Sequence, residues 1–567
     1  MTPFHAIQRT DKQGNARWVW YSDVVELLET AEYHEVIPTL RRLEAAARQG
    51  LHAVGWIAYE AAPGFDPHLQ TYPLPHGSPL LRFTLYRTEH LGLPPRTVSE
   101  AATTHLEPEV SEADFMNAIH SIHQAIANGE TYQVNFTYPF SGTLDGETWA
   151  LFRKLRQAQA AKHQAYIEEA DQTVICASPE RFFRHEGSEI MCKPMKGTAK
   201  PGAEFELEAS IKNRSENIMI VDMIRNDLGK IAMKGSVKAD PLFEIESYPS
   251  VVQMTSTVTA RGSTSPVDWL CALFPCASIT GAPKRKTMEW IRHLENAPRG
   301  IYTGAIGGFY ADGVSEFNVA IRTAILNKQT NTLRYHSGCG IVWDSDPQDE
   351  YKESLLKTAV LKHRATPYHL IETMRAEPVI GIPLWPYHRQ RLVNSAASLG
   401  FELDTKALEA EIQMLEVHEV QKVRITLSIE GQLNICCSPC PVNKSLMSFR
   451  LDTQITSSQN ESLKHKTTRR DLYNEARKRC ADVDETLLIN EHGECMEFTI
   501  GNLVWEKDGQ AYTPLRDSGL LPGVARAAAL AKGSLQEKIC RPKDLEQADQ
   551  LYLLNALRGK VKMEWIR

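Results

Sequence analysis

The feature that most constrains this chain is a break near residue 363. A helical run, LLKTAVLKH (355–363), gives way to HRATPYH (363–369), a short polar stretch containing a proline. The patterning on its two sides is unlike. A chain divided there folds as two units of about 362 and 200 residues, although 567 residues would allow three or four domains at roughly 150 residues each. Strand-like and helix-like segments alternate on both sides, so the expected class is α/β (α+β), a large unit followed by a smaller one. No internal repeat and no low-complexity tract interrupts either half.

Spacing predicts a helix over 34–50, where Leu40, Leu43 and Ala47 recur and Gly50 stands at the C-terminal cap. A second is predicted over 112–128. Ser111 suits its N-cap with Asp114 three residues on, Phe115, Ile119, Ile122 and Ile126 form the apolar stripe, and Gly129 ends it. The period then changes to two. Tyr132, Val134, Phe136 and Tyr138 share one strand face, and Thr131, Gln133, Asn135 and Thr137 the other. Such a strand is either half-exposed or lines a cavity with its polar face, and spacing is compatible with both.

Composition excludes several classes. A net charge of −7 argues against general nucleic-acid binding, which leaves a basic footprint. There is no run of about 18 apolar residues, so no transmembrane helix is expected. The start MTPFHAIQRTDKQGNARW lacks the basic–apolar–small pattern of an export signal. Eleven cysteines are an odd and dilute set, suited to reduced thiols in a cytoplasmic protein. Cys437 and Cys440 form a CxxC beside Cys436, but no second pair lies at zinc-ribbon spacing, so they read as strand thiols.

The first half carries seven dense polar strings: SPERF (178–182), KPMKGT (193–198), ENIMIVDMIRNDLG (216–229), SITGAPK (278–284), RGIYTGAIG (299–307), FNVAIRT (317–323) and SGCGIVWDSDPQDEYKESLLK (337–357). In the last, Asp344, Ser345 and Pro347 suit a helix start, and Glu350, Glu353 and Lys357 then share one helix face. Glu216 follows Lys212 by four residues and shares a side with Ile220, Met223 and Asp227. Two helices offering carboxylates could hold a hard cation such as Mg²⁺. A solvated charged face has the same spacing, and nothing in it brings the helices together.

In this order, with GWIAYEAAPGFDP (55–67) and GETYQVNFT (129–137), the strings resemble the chorismate-utilising enzymes: anthranilate synthase component I, isochorismate and salicylate synthases, and aminodeoxychorismate synthase component I. The resemblance covers essentially residues 1–362 and implies one large fold around a chorismate pocket. Gln133 stands where water-adding members carry a lysine base, and since glutamine cannot deprotonate water, ammonia fits better as the nucleophile. Lys196 matches the nucleophile of aminodeoxychorismate synthases. It would add, as its neutral amine, to C2 of chorismate as the 4-hydroxyl leaves, and ammonia would then add at C4 and expel it. Gly197 would allow a planar substrate close. Glu180 matches the general acid for the departing hydroxyl.

The same resemblance makes Glu216, Glu350 and Glu353 Mg²⁺ ligands, and Arg322, Tyr302 and Lys357 contacts to substrate carboxylates. Thr280, Gly338 and Gly340 would line the pocket. Two departures stand out: Gln253 replaces a histidine common in the family and receives no role, and Ala277 stands where glycine is usual. No GxCxGxQ string of a glutaminase occurs. Ammonia would therefore arrive free or from a separate glutamine amidotransferase subunit.

The second half carries LIETMR (370–375), HRQRLVNSAASLGF (388–401), KVRITLS (422–428), HKTTRRDLYNEAR (465–477), DETLLINEHGECMEFTIGNL (484–503), YTPLRDSGLLPGVAR (512–526) and YLLNALRG (552–559). These resemble the fold-type IV pyridoxal-phosphate enzymes, which include branched-chain and D-amino-acid aminotransferases and aminodeoxychorismate lyase. The resemblance implies that Lys466 forms the Schiff base with pyridoxal 5'-phosphate; the HKTT spacing favours it over Lys464. Glu497 would pair with the pyridine nitrogen. Arg391 would hold the phosphate with the backbone of Gly523, Val524 and Ala525. Tyr473 would lie near the phosphate or the Schiff base.

A lyase is expected over a transaminase because the first half would make the lyase's substrate. The expected whole is a bifunctional enzyme of 4-aminobenzoate, hence folate, synthesis. It would work as a homodimer through the second half, with neither nucleic acid nor membrane as partner. The alternatives are an amino-acid aminotransferase, or a non-catalytic dimerisation module, in the second half.

Overall fold

The computed structural model describes residues 3–11, 14–94, 96, 102–158, 161–199, 204–247, 252–361 and 368–567, and the structural statements that follow concern these. The expected connecting segment 363–369 falls mostly outside them. By its internal contacts the chain divides into two units, the first within residues 1–365 and the second mainly residues 366–567.

In the first unit, helices α1 (Val36–Arg48) and α2 (Glu112–Ala127) occupy the segments that spacing predicts. Gly50 and Gly129 end them at φ of 92° and 71°, a left-handed backbone that glycine adopts without a Cβ penalty. The Ser111 hydroxyl accepts from the Asp114 N–H at 3.1 Å, a cap that stabilises a helix by about 1 kcal/mol. Helix α2 buries Phe115, Ile119 and Ile122 against Val134, Phe136 and Tyr138 of strand β1 (Gln133–Asp145), each large side chain contributing roughly 1.5–3 kcal/mol. The opposite face of β1 is closed to solvent too, with Gln133 and Thr137 buried. Tyr132, at its head, is exposed.

Five further elements carry the candidate site: β2 (Met195–Ala199), α3 (Ile211–Gly229), β3 (Val252–Thr255), β4 (Thr332–Ile341) and α4 (Pro347–Leu356). Strand β4 runs antiparallel to β1, with Gly338 opposite Thr137 and Gly340 opposite Asn135. Strand and helix do not alternate regularly, as the patterning suggested. A 17-stranded sheet dominates, built in part from hairpins such as Arg181–Glu186 with Glu189–Lys193 and Ala305–Phe309 with Val314–Val319. Tight turns at Gly187 and Gly313, at φ of 63° and 82°, let consecutive strands pair without an intervening helix.

The second unit begins with β5 (Leu370–Ala376) and α5 (Trp385–Leu399). Strand β5 pairs with Gln421–Leu427 in a three-stranded antiparallel sheet whose core includes Met374, Leu392, Val423 and Ile425. Cys436 and Cys437 lie exposed on its outer strand, Leu433–Pro439, matching the reading of strand thiols. The rest is an eight-stranded sheet around Phe449, Leu487, Phe498 and Trp505. It includes β6 (Cys495–Phe498); α6 (Asp471–Arg479) precedes that strand, and α7 (Val524–Ala531) is inserted between the strands Gln510–Thr513 and Gln536–Glu537. No described helix is long and apolar enough to cross a membrane.

Candidate active sites

In the first unit two chemistry-bearing side chains converge on Gly340. A Cβ built there would lie 3.0 Å from Gln133 Nε2 and 3.1 Å from Lys196 Nζ. The Gln133 amide is fully buried, and neither its nitrogen nor its oxygen has a hydrogen-bond partner. A buried orphan amide is costly unless something outside the fold satisfies it. Lys196 Nζ stands 3.8 Å from Glu216 Oε2. The groups that face this amine are carboxylates, since Glu180 and Glu353 also feel its charge.

Glu180 is buried in the turn between strands Gln172–Ser178 and Arg181–Glu186, and its Oε1 has no partner. Burial drives its carboxyl up to about 7, against the pull of the Ser278 hydroxyl and the Lys196 charge. A sizeable fraction of it therefore carries a proton near neutrality, the state in which a carboxyl can donate one.

Helix α4 starts at Asp346, which accepts from the N–H groups of Gln348 and Asp349, with Pro347 in the first turn. Its face brings Glu350 and Glu353 together with Cys339 of β4, their candidate ligand atoms all within 4.8 Å of one another. Burial pushes the Cys339 thiol up to about 12, so it stays S–H and the donors suited to a hard cation are the two carboxylates. Glu350 also accepts from the Ser345 hydroxyl at 2.8 Å. Burial raises Glu353, but Lys357, with Lys196 and Lys212 beyond, outweighs it and holds the carboxyl below the usual range. Glu216 lies outside this cluster and pairs with Lys196 instead.

The remaining predicted residues fall into place unevenly. Lys357 bridges Glu353 and the Gly338 carbonyl, each at 2.8 Å. Tyr302 is buried and stacks on His336 at 4.9 Å, and burial pushes its phenol up. Arg322 has φ of 52°, a left-handed backbone that costs a non-glycine residue about 1–3 kcal/mol and persists where its surroundings fix it. The Thr280 hydroxyl donates within its own turn, to the carbonyls of Cys276 and Ala277 at 3.2 and 3.3 Å. At two glycines the fold supplies its own reason. A Cβ at Gly338 would meet the Phe136 carbonyl at 2.2 Å, and one at Gly197, with φ of 88°, would meet Asn213 Cγ at 2.9 Å. Strand pairing at Gly338 and packing on α3 at Gly197 each call for glycine. Gln253 is buried on β3 opposite Thr198 of β2.

Sequence reasoning missed the hub behind this site. Arg299 is buried, with Nε and Nη2 on Glu295 at 2.8 and 2.6 Å, Nη1 on the Ile279 carbonyl at 2.9 Å and Nη2 on the Asn135 carbonyl at 2.7 Å. It ties β1, the Thr280 turn and the Tyr302 turn together. Glu60 accepts the N–H groups of Arg299 and Gly300 at 2.7 and 2.9 Å, and burial drives its carboxyl up to about 8. The arginine of RGIYTG and the glutamate of WIAYEA were the available signals.

Since the backbone at Gly340 suits any residue, Gly340→Ala tests the convergence directly. We expect turnover at this site to fall roughly tenfold, because the Gln133 amide and the Lys196 amine must give by a few tenths of an ångström to admit the methyl group. The thermal midpoint should stay close to wild type. Turnover and a melting curve on the same preparation check this.

In the second unit Lys466 follows the short helix Glu461–Lys464 and is held beside β5 by a hydrogen bond from the Ile371 N–H to its carbonyl at 3.0 Å. Burial and the charges of Arg391 and Arg470 bring its amine down to about 8, against Glu372 and Glu497. A lysine so placed has a sizeable neutral fraction near neutrality. On β6, Glu497 accepts the Tyr473 hydroxyl at 2.8 Å and the Leu521 N–H at 2.9 Å, and burial drives it up to about 7. Tyr473 therefore belongs with Glu497, which narrows the looser placement near a phosphate or Schiff base. Asn502 donates to Glu497 at 3.4 Å and to the Leu521 carbonyl at 2.9 Å.

Helix α7 begins at Val524 and Ala525 after Gly523, and no side chain caps it. A Cβ at Gly523 would lie 1.9 Å from Asn502 Oδ1, so a larger residue there would have to displace the Asn502 amide. Arg391 of α5 approaches this turn, its Nη1 at 3.4 Å from the Pro522 carbonyl. An amine with a lowered pKa, an anchored carboxylate, an arginine and an uncapped helix start form the donor set that a phosphate-bearing pyridine aldehyde requires.

Comparison with known proteins places this arrangement. Residues 4–363 match the family profile of chorismate binding enzymes, and residues 369–564 that of amino-transferase class IV. The chain belongs to the chorismate binding enzymes and carries a fold-type IV aminotransferase-like domain behind that part. It is 42% identical over 258 residues to aminodeoxychorismate synthase of Streptomyces griseus, covering 44% of this chain and 35% of that protein. It is 35% identical over 271 residues to aminodeoxychorismate synthase component 1 of Salmonella typhimurium, covering 46% of this chain and 59% of that protein. The chain thus spans about a third to three fifths of the curated relatives it matches. Anthranilate synthase component I from Streptococcus pneumoniae, 22% identical, has the same fold, with a TM-score of 0.53 over 64% of this chain and 92% of that one.

Proposed function

We propose that this chain converts chorismate to 4-aminobenzoate, by amination to 4-amino-4-deoxychorismate in the first domain and loss of pyruvate in the second. The observation that carries the reading is the meeting of Lys196 and the orphan Gln133 amide at Gly340. In the first step Lys196 Nζ bonds to C2 while the ring double bonds shift and the C4–O bond breaks. Glu180 gives its proton to the departing hydroxide, which leaves as water. Ammonia then adds at C4, the C2–N bond breaks, and the lysine amine is regenerated. Glu216, Glu350 and Glu353 would hold Mg²⁺, which would offset the charge of a substrate carboxylate. Arg322, Tyr302, Lys357 and Thr280 orient the substrate. Ammonia comes free or from a separate glutamine amidotransferase subunit.

In the second domain Lys466 would hold pyridoxal phosphate, Glu497 would meet its ring nitrogen, and Arg391 with the start of α7 would meet its phosphate. The cofactor supplies an electron sink. The Lys466 amine, once released from the cofactor, takes the proton from the amine-bearing C4 of 4-amino-4-deoxychorismate, the ether C–O bond at C3 breaks, and the ring becomes aromatic. The proton balances onto the enol carbon of the leaving group, giving pyruvate. The domain also forms the homodimer contact in this reading.

Incubation with chorismate, Mg²⁺ and ammonium tests the proposal. It expects the amino group at the 4-position. Anthranilate would overturn the role of Lys196, and accumulated 4-amino-4-deoxychorismate would favour a transaminase or a docking module in the second half. The acid role of Glu180 adds a pH dependence. Its acid form is complete well below pH 7 and is lost above, so amination at fixed free ammonia should fall about tenfold per pH unit above about 7. Glu180→Gln should lower the rate by roughly 10²–10⁴ and remove that limb of the profile.

A further inference from the structure

The LIETMR string has no part in the functions assigned so far, yet its glutamate sits at the centre of a buried charge cluster. Glu372 of β5 accepts from Arg391 Nε at 2.8 Å, from Arg391 Nη2 at 2.6 Å and from His388 Nδ1 at 2.6 Å. All three side chains are buried or nearly so, at 1% exposure for Glu372 and His388 and 11% for Arg391. His388 and Arg391 lie three residues apart on one face of α5, so a single carboxylate clamps that face to the strand beside Lys466. The bidentate pair takes up two of the three guanidinium nitrogens, which leaves Nη1 turned toward Pro522 at the start of α7. Burial disfavours the carboxylate, but Arg391 and His388 outweigh it and hold the acid down to about 2. The clamp is therefore charged at every physiological pH.

We propose that Glu372 is the positioning residue of the second site, fixing Arg391 so that its Nη1 edge is presented to the phosphate of the bound cofactor. This rests on the reading that the second domain binds pyridoxal phosphate. The charge of Glu372 alone would repel a phosphate, so its effect on affinity separates orientation from electrostatics. It sits with the lysine, too, since its strand donates to the Lys466 backbone. A loss at Glu372 should therefore appear in phosphate recognition and not in the bond to Lys466.

The test titrates full-length protein, stripped of cofactor, with pyridoxal phosphate and with unphosphorylated pyridoxal, following the absorption band of the lysine adduct. We expect Glu372→Ala to weaken pyridoxal phosphate at least tenfold and to leave pyridoxal within twofold of wild type. Glu372→Gln, which retains one acceptor, should recover part of the loss. Glu372→Ala combined with Arg391→Ala should be no worse than Arg391→Ala alone. Equal weakening of both ligands would overturn the inference in favour of a merely structural role. Unchanged or tighter phosphate binding in a folded Glu372→Ala protein would overturn it as well. Wild-type protein that takes up neither ligand would overturn the cofactor reading itself, and the inference with it.

Discussion

Replacing Lys196 by alanine should abolish formation of 4-amino-4-deoxychorismate, with a loss of at least about a thousandfold, as expected for removal of a covalent nucleophile. The basis is local. Lys196 and Gln133 approach the bare face of Gly340. The substitution shortens a partly buried side chain and removes one long ion pair, the 3.8 Å contact with Glu216, so folding should survive. The decisive control lies in the other domain. Cofactor uptake at Lys466 and conversion of supplied 4-amino-4-deoxychorismate should stay at wild-type rates. Loss of both activities together would contradict two separate sites.

Lys466→Ala is the reciprocal case. The protein should lose the visible absorption band of the lysine-bound cofactor, and pyruvate release should drop by about three orders of magnitude or more. Amination of chorismate should continue, so that 4-amino-4-deoxychorismate accumulates. Lys464→Ala should leave both unchanged, because it is Lys466 whose amine is brought to Arg391, Arg470, Glu372 and Glu497. A band that survives in Lys466→Ala would move the attachment point elsewhere.

Much of this was readable from short-range pattern. Helix α2 is framed by Ser111 and Gly129, and its stripe is the face that packs on β1. The period-two run is a strand from Gln133 onward, with Thr131 and Tyr132 before it, and its polar face is closed to solvent at Gln133 and Thr137. Residues within one string kept their expected neighbours, as Glu350 and Glu353 did on α4. What escaped depends on register and on distant partners. Gly340 matters because β4 pairs with β1 in one particular register, which no local pattern encodes. Arg299 draws its partners from β1, from the Thr280 turn and from its own helix end. Glu372 is a lone carboxylate in an apolar strand, and only the approach of α5 makes it a clamp. The antiparallel hairpins escaped because short glycine turns, at Gly187 and Gly313, join strands that the spacing alone does not pair. Gly197 and Gly338 show the converse, since glycines inside a recognised string proved to serve packing.

The most direct test gives the single purified chain chorismate, Mg²⁺, pyridoxal phosphate and ¹⁵N-ammonium, and quantifies products by mass spectrometry. The account predicts ¹⁵N-labelled 4-aminobenzoate and pyruvate in equal amounts, with no other protein present. Labelled anthranilate, or 4-amino-4-deoxychorismate that accumulates without pyruvate, would contradict it.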